Sequence, residues 1–351
     1  MTGARAAASE ERTDAYFAAV ASRYPLGGPL RIAEEESGMN NTTRMVYAAN
    51  DRYVLRVYDN HRDRAVVRVE HGLLAALRQA GLSFRVPSPV AARDGSSIAE
   101  APDGKLAALF GYIDGDRPSP DNPDHVAGLG RAAGELTQAL AACGPIAGLE
   151  PMYKPYYDFE ATHAAADETM LAALCRRSPA LAERAADVAA LHALRMRLTA
   201  LIDRIKRLPQ QWIHGDIVFS NALAQGGAIV GLLDFEFCTV DVRAMELAVV
   251  LADFASGDDE RAFGQMERFC AGYGEKRPLG PEEIALLPDL MQLRMIDVWL
   301  HFAIRFAEGL DPERVWIREI ERVFAACGWI ERRRERLLAL FRNALARNAA
   351  V

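Results

Sequence analysis

His214-Gly215-Asp216-Ile217-Val218-Phe219-Ser220-Asn221 is followed, thirteen residues after its asparagine, by Asp234-Phe235-Glu236. The apolar run before His214 reads as a short strand, and NALAQGGAIVGLL, with Gly226-Gly227 at its centre, reads as a hairpin. An Asp, an Asn five positions on and a second Asp at the far end of the hairpin form a polar triplet flanked by apolar strand residues. That is the layout of phosphoryl transfer. One carboxylate accepts or orients the proton of an attacking hydroxyl, while an amide oxygen and another carboxylate hold a Mg²⁺ that bridges phosphates. The bland alternative is a polar turn between two strands.

Upstream, RIAEEES, TRMVYAA and RYVLRVY are strand-like, with Asn50-Asp51 as a turn pair between the last two. Ser37 to Thr43 is rich in small, hydrogen-bonding residues and reads as a loop whose backbone can approach a ligand. From Asp63 to Gln79, Val66, Val67, Leu73, Leu74 and Leu77 recur at helical spacing, with Gly81 as the stop. LAALFGYI is a buried-strand run, and DGDRPSPDNPD after it marks the expected lobe boundary. The remainder is helical apart from residues 211–237.

These residues, in this order, resemble the aminoglycoside phosphotransferase superfamily of small-molecule kinases, which includes choline kinases and one class of homoserine kinases and shares the protein-kinase fold. The pattern HxDxxxxN followed by a DFE-like motif is met by His214, Asp216, Asn221 and Asp234. The resemblance implies an α+β, protein-kinase-like two-lobe fold: a small N-lobe of antiparallel sheet plus helix over 1–110, and a large, mainly helical C-lobe over 111–351. It makes Asp216 the catalytic base, His214 its structural support, and Asn221 and Asp234 the metal ligands. Glu246, where relatives often carry Asp, becomes a contact to the catalytic loop.

The resemblance also implies a nucleotide site. Gly38, Asn41 and Thr42 fall in the glycine-containing loop, where backbone N–H groups approach phosphate oxygens. Arg56 in YVLRVY stands where most relatives have lysine, with Glu70 on the following helix as its partner, and no lysine precedes Lys105. A guanidinium can hold a carboxylate and a phosphate together, with a reach unlike that of an ammonium. The competing reading is a solvated strand arginine and helix glutamate. Phe110, Tyr112 and Ile113 lie in the expected hinge, whose backbone pairs with adenine. Gly128, Gly130 and Gly134 form GxGxxxG, but no strand precedes them, which argues against a dinucleotide loop.

Helical pattern resumes soon after Asp234, leaving no room for a long activation segment and favouring a small acceptor over a protein. Acids at Glu236, Asp241, Glu246 and Asp253 follow. On a late helix, Arg294, Asp297, His301 and Arg305 share one face and Met295, Trp299, Phe302 and Phe306 another. The polar face either binds an acceptor carboxylate or hydroxyls, or is a solvated face over a packed core. The aromatics, and likewise Tyr153, Tyr156 and Tyr157, either pack or cage a quaternary ammonium.

Composition bounds the rest. The 351 residues are half hydrophobic and a quarter charged, so a sizeable core is available. A net charge of -7 draws the whole chain toward neither nucleic acid nor anionic membrane. Cys143, Cys175, Cys238, Cys270 and Cys327 are odd in number and widely spaced, which predicts reduced core thiols. No apolar run is long enough for a membrane span, and cytoplasmic placement is the expectation. The expected activity is ATP- and Mg²⁺-dependent phosphorylation of a hydroxyl on a small metabolite, an amino acid or amino alcohol of the homoserine or choline kind. The alternatives are an aminoglycoside-type antibiotic kinase and a nucleotide-binding pseudokinase with a regulatory role. A small-molecule acceptor is the expected partner, with a homodimer left open.

Overall fold

A five-stranded antiparallel sheet in the order β1-β2-β3-β5-β4 forms the first lobe. Its strands are β1 (Leu30–Glu34), β2 (Asn41–Ala48), β3 (Asp51–Tyr58), β4 (Ala99–Glu100) and β5 (Leu106–Gly111). The computed structural model describes residues 13–34, 41–59, 62–144, 149–255 and 257–346. Helix α1 (Asp14–Ala21) precedes the sheet and helix α2 (Arg64–Arg78) follows β3. Asp63 caps α2: it accepts the Ala65 N–H at 2.8 Å, which satisfies one of the otherwise unpaired donors of the first turn.

Why β5 reads as an unbroken apolar run follows from its two buried faces. Ala107 and Leu109 join Phe17, Val20, Leu55 and Val57 on the α1 side, while Ala108 and Phe110 join Val67, Leu73, Leu74 and Leu77 on the α2 side. The period of two then places Arg56, between Leu55 and Val57, on the α2 side. The α2 residues and the helices of the second lobe belong to one continuous hydrophobic cluster.

Two details differ from expectation. The β2–β3 turn residues are Ala49 and Asn50, and Asp51 already starts β3. Asn41, Thr42 and Thr43 are strand residues of β2 rather than loop, because they pair with Tyr58, Val57 and Arg56. Gly38 lies outside the described residues.

The second lobe is helical around two small antiparallel pairs. β6 (Gln210–Ile213) pairs with β9 (Thr239–Val242), and β7 (Ala222–Gln225) with β8 (Ala228–Leu232) across Gly226-Gly227. The β7–β8 hairpin is tied to the first lobe's exit: Asp116 and Ala224 exchange both backbone bonds, and Arg85 donates to the Val230 carbonyl and accepts from Leu232. The loop before β7 and Asp234 after β8 therefore meet at the same open end of this short hairpin, beneath the first lobe, where the Leu233 N–H donates to the Asn221 carbonyl at 2.8 Å.

GxGxxxG lies inside helix α3 (Pro123–Cys143), where it serves packing. A Cβ on Gly130 would fall 2.1 Å from the Phe269 carbonyl oxygen and one on Gly134 2.7 Å from that of Tyr273, so the helix Asp259–Lys276 can lie almost backbone to backbone against α3. The five cysteines are free thiols, four of them buried. Among the described residues no helix is long and apolar enough to cross a membrane.

Candidate active site

The loop after β6 is held from below by one carboxylate. Glu246, fully buried at the start of the helix Met245–Phe254, accepts the N–H of His214 at 2.7 Å and that of Gly215 at 3.0 Å. Burial pushes its pKa up, and these two donors with His214 pull it back. Gly215 has φ +77°, a conformation open to glycine without strain, and it turns the chain so that Asp216 faces the interlobe cleft. His214 Nε2 lies 2.9 Å from the Leu233 carbonyl oxygen and Nδ1 accepts the Asp216 N–H at 3.2 Å. With Nδ1 accepting and Nε2 directed at the Leu233 carbonyl, the ring is a brace between the loop and the end of β8.

Asp216 is engaged on both oxygens. Asn221 Nδ2 donates to Oδ2 and to the Asp216 carbonyl, each at 3.0 Å, and Arg294 Nη2 donates to Oδ1 at 3.0 Å. With its donors spent on Asp216, Asn221 presents its amide oxygen as the free end. Asp234 closes β8 in the left-handed region, φ 67° and ψ 61°, sparsely populated for a non-glycine residue and common at functional positions. Its Oδ1 is buried without a hydrogen-bond donor, 3.4 Å from Arg56 Nη1.

The same Nη1 lies 3.2 Å from Glu70 Oε1, and Tyr58 Oη donates to Glu70 Oε2 at 2.9 Å. One terminal nitrogen of Arg56 thus serves both carboxylates. Burial works against the Arg56 charge, but Glu70 and Asp234 outweigh it and raise its pKa further. Burial likewise drives the Glu70 carboxyl up, against the pull of Arg56 and Tyr58. His71, next along α2, is buried with Nδ1 2.7 Å from Ser97 Oγ, and burial assisted by Arg56 lowers its pKa to about 4.

Asn41 donates from Nδ2 to Glu236 Oε2 at 2.7 Å, a bond between the first lobe and the segment after Asp234, and its Oδ1 is buried without a donor. Thr42 Oγ1 donates to Asp59 Oδ2 at 2.6 Å. In the hinge, Phe110 and Ile113 are buried, and the N–H groups of Gly111 and Tyr112 go to the carbonyls of Ser88 and Arg52. Among the described residues the Ile113 N–H has no acceptor.

Divalent-metal chemistry fits these donors. The Asp234 and Asn221 oxygens are hard ligands suited to Mg²⁺, and the Asp234 oxygen is already stripped of donors. No three His, Cys, Asp or Glu side chains converge as a self-sufficient metal site among the described residues. That suits a cation completed by phosphate oxygens and water.

Of the four residues on the polar face of the helix Pro281–Ala307, only Arg294 meets the loop. Asp297 is 2.7 Å from His163 Nε2, Arg305 is paired with Asp311 at 2.6 and 2.9 Å, and His301 is exposed. At about 1.5 Å rise per residue Arg305 sits roughly 16 Å along the axis from Arg294, too far to share one small pocket. Met295, Trp299 and Phe306 are core residues. Tyr156 was ambiguous in the sequence. Its Oη donates to the Gly215 carbonyl at 2.9 Å and accepts from Arg294 Nη1 at 3.0 Å, while its N–H is held by buried Asp241 at 2.6 Å.

Comparison with known proteins agrees with this architecture. A sequence model described as the phosphotransferase enzyme family, APH, matches residues 32–287. A homoserine kinase of Methylobacterium radiotolerans is 28% identical over 304 residues, covering 83% of this chain and 88% of that protein. A homoserine kinase of a Chelativorans species is 30% identical over 289 residues, covering 80% of each. The solved structure of a microcompartment-associated aminopropanol kinase superposes with a TM-score of 0.71 at 19% identity, covering 92% of this chain and 98% of that one.

Proposed function

The chain belongs to the phosphotransferase enzyme family, and from that premise we propose that it moves the γ-phosphate of ATP to the hydroxyl of a small amino acid or amino alcohol in a Mg²⁺-dependent reaction. The observation that carries this reading is the placement of Asp216, hydrogen-bonded to Asn221, across a short hairpin from Asp234, whose orphaned oxygen faces Arg56. The homoserine kinases and the aminopropanol kinase it is similar to act on acceptors of that class.

In this mechanism Asp216 orients the acceptor hydroxyl and takes its proton as the oxygen attacks the γ-phosphorus and ADP leaves. Asn221 and Asp234 hold the metal. When bound, Mg²⁺ offsets the charge on the phosphate oxygens. Arg56 contacts the nucleotide phosphates through the nitrogens its carboxylate partners leave open, with Glu70 fixing its position. The free Ile113 N–H is the donor for the adenine ring. No covalent enzyme intermediate is required, and rate enhancement comes from positioning and charge stabilisation.

The test is Mg²⁺-dependent ADP release from ATP over homoserine, aminopropanol, choline, ethanolamine and aminoglycosides, with Asp216→Asn as the control. Stimulation by an amino acid or amino alcohol that vanishes in the variant is expected. Stimulation by aminoglycosides alone would move the assignment to the antibiotic kinases. Nucleotide binding with no stimulation by any acceptor would support a regulatory pseudokinase instead.

A further inference from the structure

Arg294 stands at the centre of an unbalanced group of charges. Burial opposes its own charge, yet Tyr156, Asp216, Asp297 and Asp253 hold its pKa up, so the guanidinium is permanently cationic. A guanidinium has five N–H donors. Nη1 gives one to Tyr156 and Nη2 one to Asp216, and the described residues supply no acceptor for the other three. The side chain retains 22% exposure, so these donors border the cleft beside Asp216.

Asp253 is the second unusual group. It ends the helix that Glu246 begins, is exposed, and makes no hydrogen bond or ion pair with any described residue. The next residue, Phe254, packs on Phe219 of the Asp216 loop with ring centroids 6.0 Å apart, which sets this end of the helix against that loop, and partial desolvation raises the Asp253 pKa while Arg294 and Arg322 pull it back. Asp297, in contrast, is already engaged by His163. The cleft at Asp216 therefore offers one cation with spare donors in a planar fork and one carboxylate with no partner.

We propose that Arg294 receives the carboxylate and Asp253 the ammonium of a zwitterionic acceptor, so that the preferred substrate is a hydroxy-amino acid rather than an amino alcohol. This deepens the kinase reading above and rests on it. A planar guanidinium binds a carboxylate through two parallel hydrogen bonds, and an ammonium needs an unpaired carboxylate, which Asp253 is. Because Arg294 touches Asp216 directly, a carboxylate on its open side lies within a few bonds of the base, as a short acceptor needs. An amino alcohol lacks that carboxylate and leaves the guanidinium donors unmet in a partly buried site, the condition under which a polar site rejects a substrate analogue most strongly.

Homoserine and 3-aminopropan-1-ol differ only by the carboxylate, so the ratio of their kcat/KM values isolates this contact. The wild type is expected to favour homoserine. Arg294→Gln should lower the ratio on the order of 100-fold, mostly through the KM for homoserine, with Arg294→Lys between the two. If Arg294 only positions Asp216, both acceptors suffer equally and the ratio stays constant, which overturns the assignment and leaves the kinase reading intact. A wild type that uses both acceptors equally well overturns it too. Turnover of neither acceptor, nor of any other small amino acid or amino alcohol, overturns the kinase reading itself. A melting shift on adding Mg-ATP establishes that each variant is folded. Asp253→Asn should raise KM for both amines by roughly tenfold without changing the ratio, and an unchanged KM overturns the ammonium assignment.

Discussion

Arg56 meets Glu70 and Asp234 through a single atom: Nη1 lies 3.2 Å from one carboxylate and 3.4 Å from the other. An ammonium is also a single nitrogen, so lysine can reproduce most of this contact. Arg56→Lys is expected to keep kcat/KM for ATP within about tenfold. Arg56→Met removes the charge and leaves buried Glu70 uncompensated, at a cost of about 3–5 kcal/mol. Urea unfolding and ATP kinetics on both variants check this. Equal behaviour of the two would refute a charge-pairing role.

Asp234 adopts a left-handed conformation that asparagine tolerates better than other non-glycine residues. Asp234→Asn should therefore hold its melting temperature while losing the Mg²⁺-dependent part of nucleotide binding, with kcat down at least 100-fold. Isothermal titration with Mg-ATP reads the result, and undiminished affinity would remove Asp234 from the metal assignment.

Glu246 is fully buried and accepts two backbone donors. In Glu246→Gln the amide can serve only one of them with oxygen and turns an NH₂ toward the other. The loss is expected at about 1–3 kcal/mol in unfolding free energy read from denaturant titration, accompanied by a lower kcat because the Asp216 loop loses its floor. A variant with wild-type stability would mean the loop is fixed by His214 and Tyr156 alone.

His71 makes one contribution to the pH dependence, opposed over the same range by Glu70 and Asp241, whose carboxyls burial raises to about 7. The ordinary His71 value of 6.5 falls to about 4 in the folded chain, so between those limits the unfolded state binds a proton that the folded state refuses. Stability from this group is complete above pH 6.5 and declines as pH falls toward 4, by on the order of 3 kcal/mol across the window. His71→Gln should remove this contribution, so that stability in urea denaturation falls less toward acid than in the wild type between pH 7 and 4.5. An unchanged slope would place the titrating group elsewhere.

Local chemistry made much of this arrangement readable. The triplet Asp216, Asn221 and Asp234 is brought together by a hairpin whose turn is written as Gly226-Gly227, and Arg56 meets Glu70 because a period of two faces a period of 3.6. What could not be read concerns distance along an element. Periodicity puts Arg294, Asp297, His301 and Arg305 on one face without saying where the cleft crosses the helix. Tyr156 belongs to a short irregular segment with no period, and only the long-range bonds to Gly215 and Asp241 locate it. Asn41 looked like a loop residue because its composition is that of a turn, while its strand pairing is supplied by Tyr58 seventeen residues away.

Helix α2 shares its apolar face with the second lobe as well as with the sheet. Swinging it far enough to part Glu70 from Arg56 would return Leu73, Leu74 and Leu77, each at most 1% exposed, to water. At roughly 1.5–3 kcal/mol per leucine that is about 5–9 kcal/mol, comparable to the entire stability of many domains. The ion pair is thus a permanent fitting of the molecule rather than a switch. A catalyst built this way idles in the assembled state, and its throughput follows the supply of its two substrates.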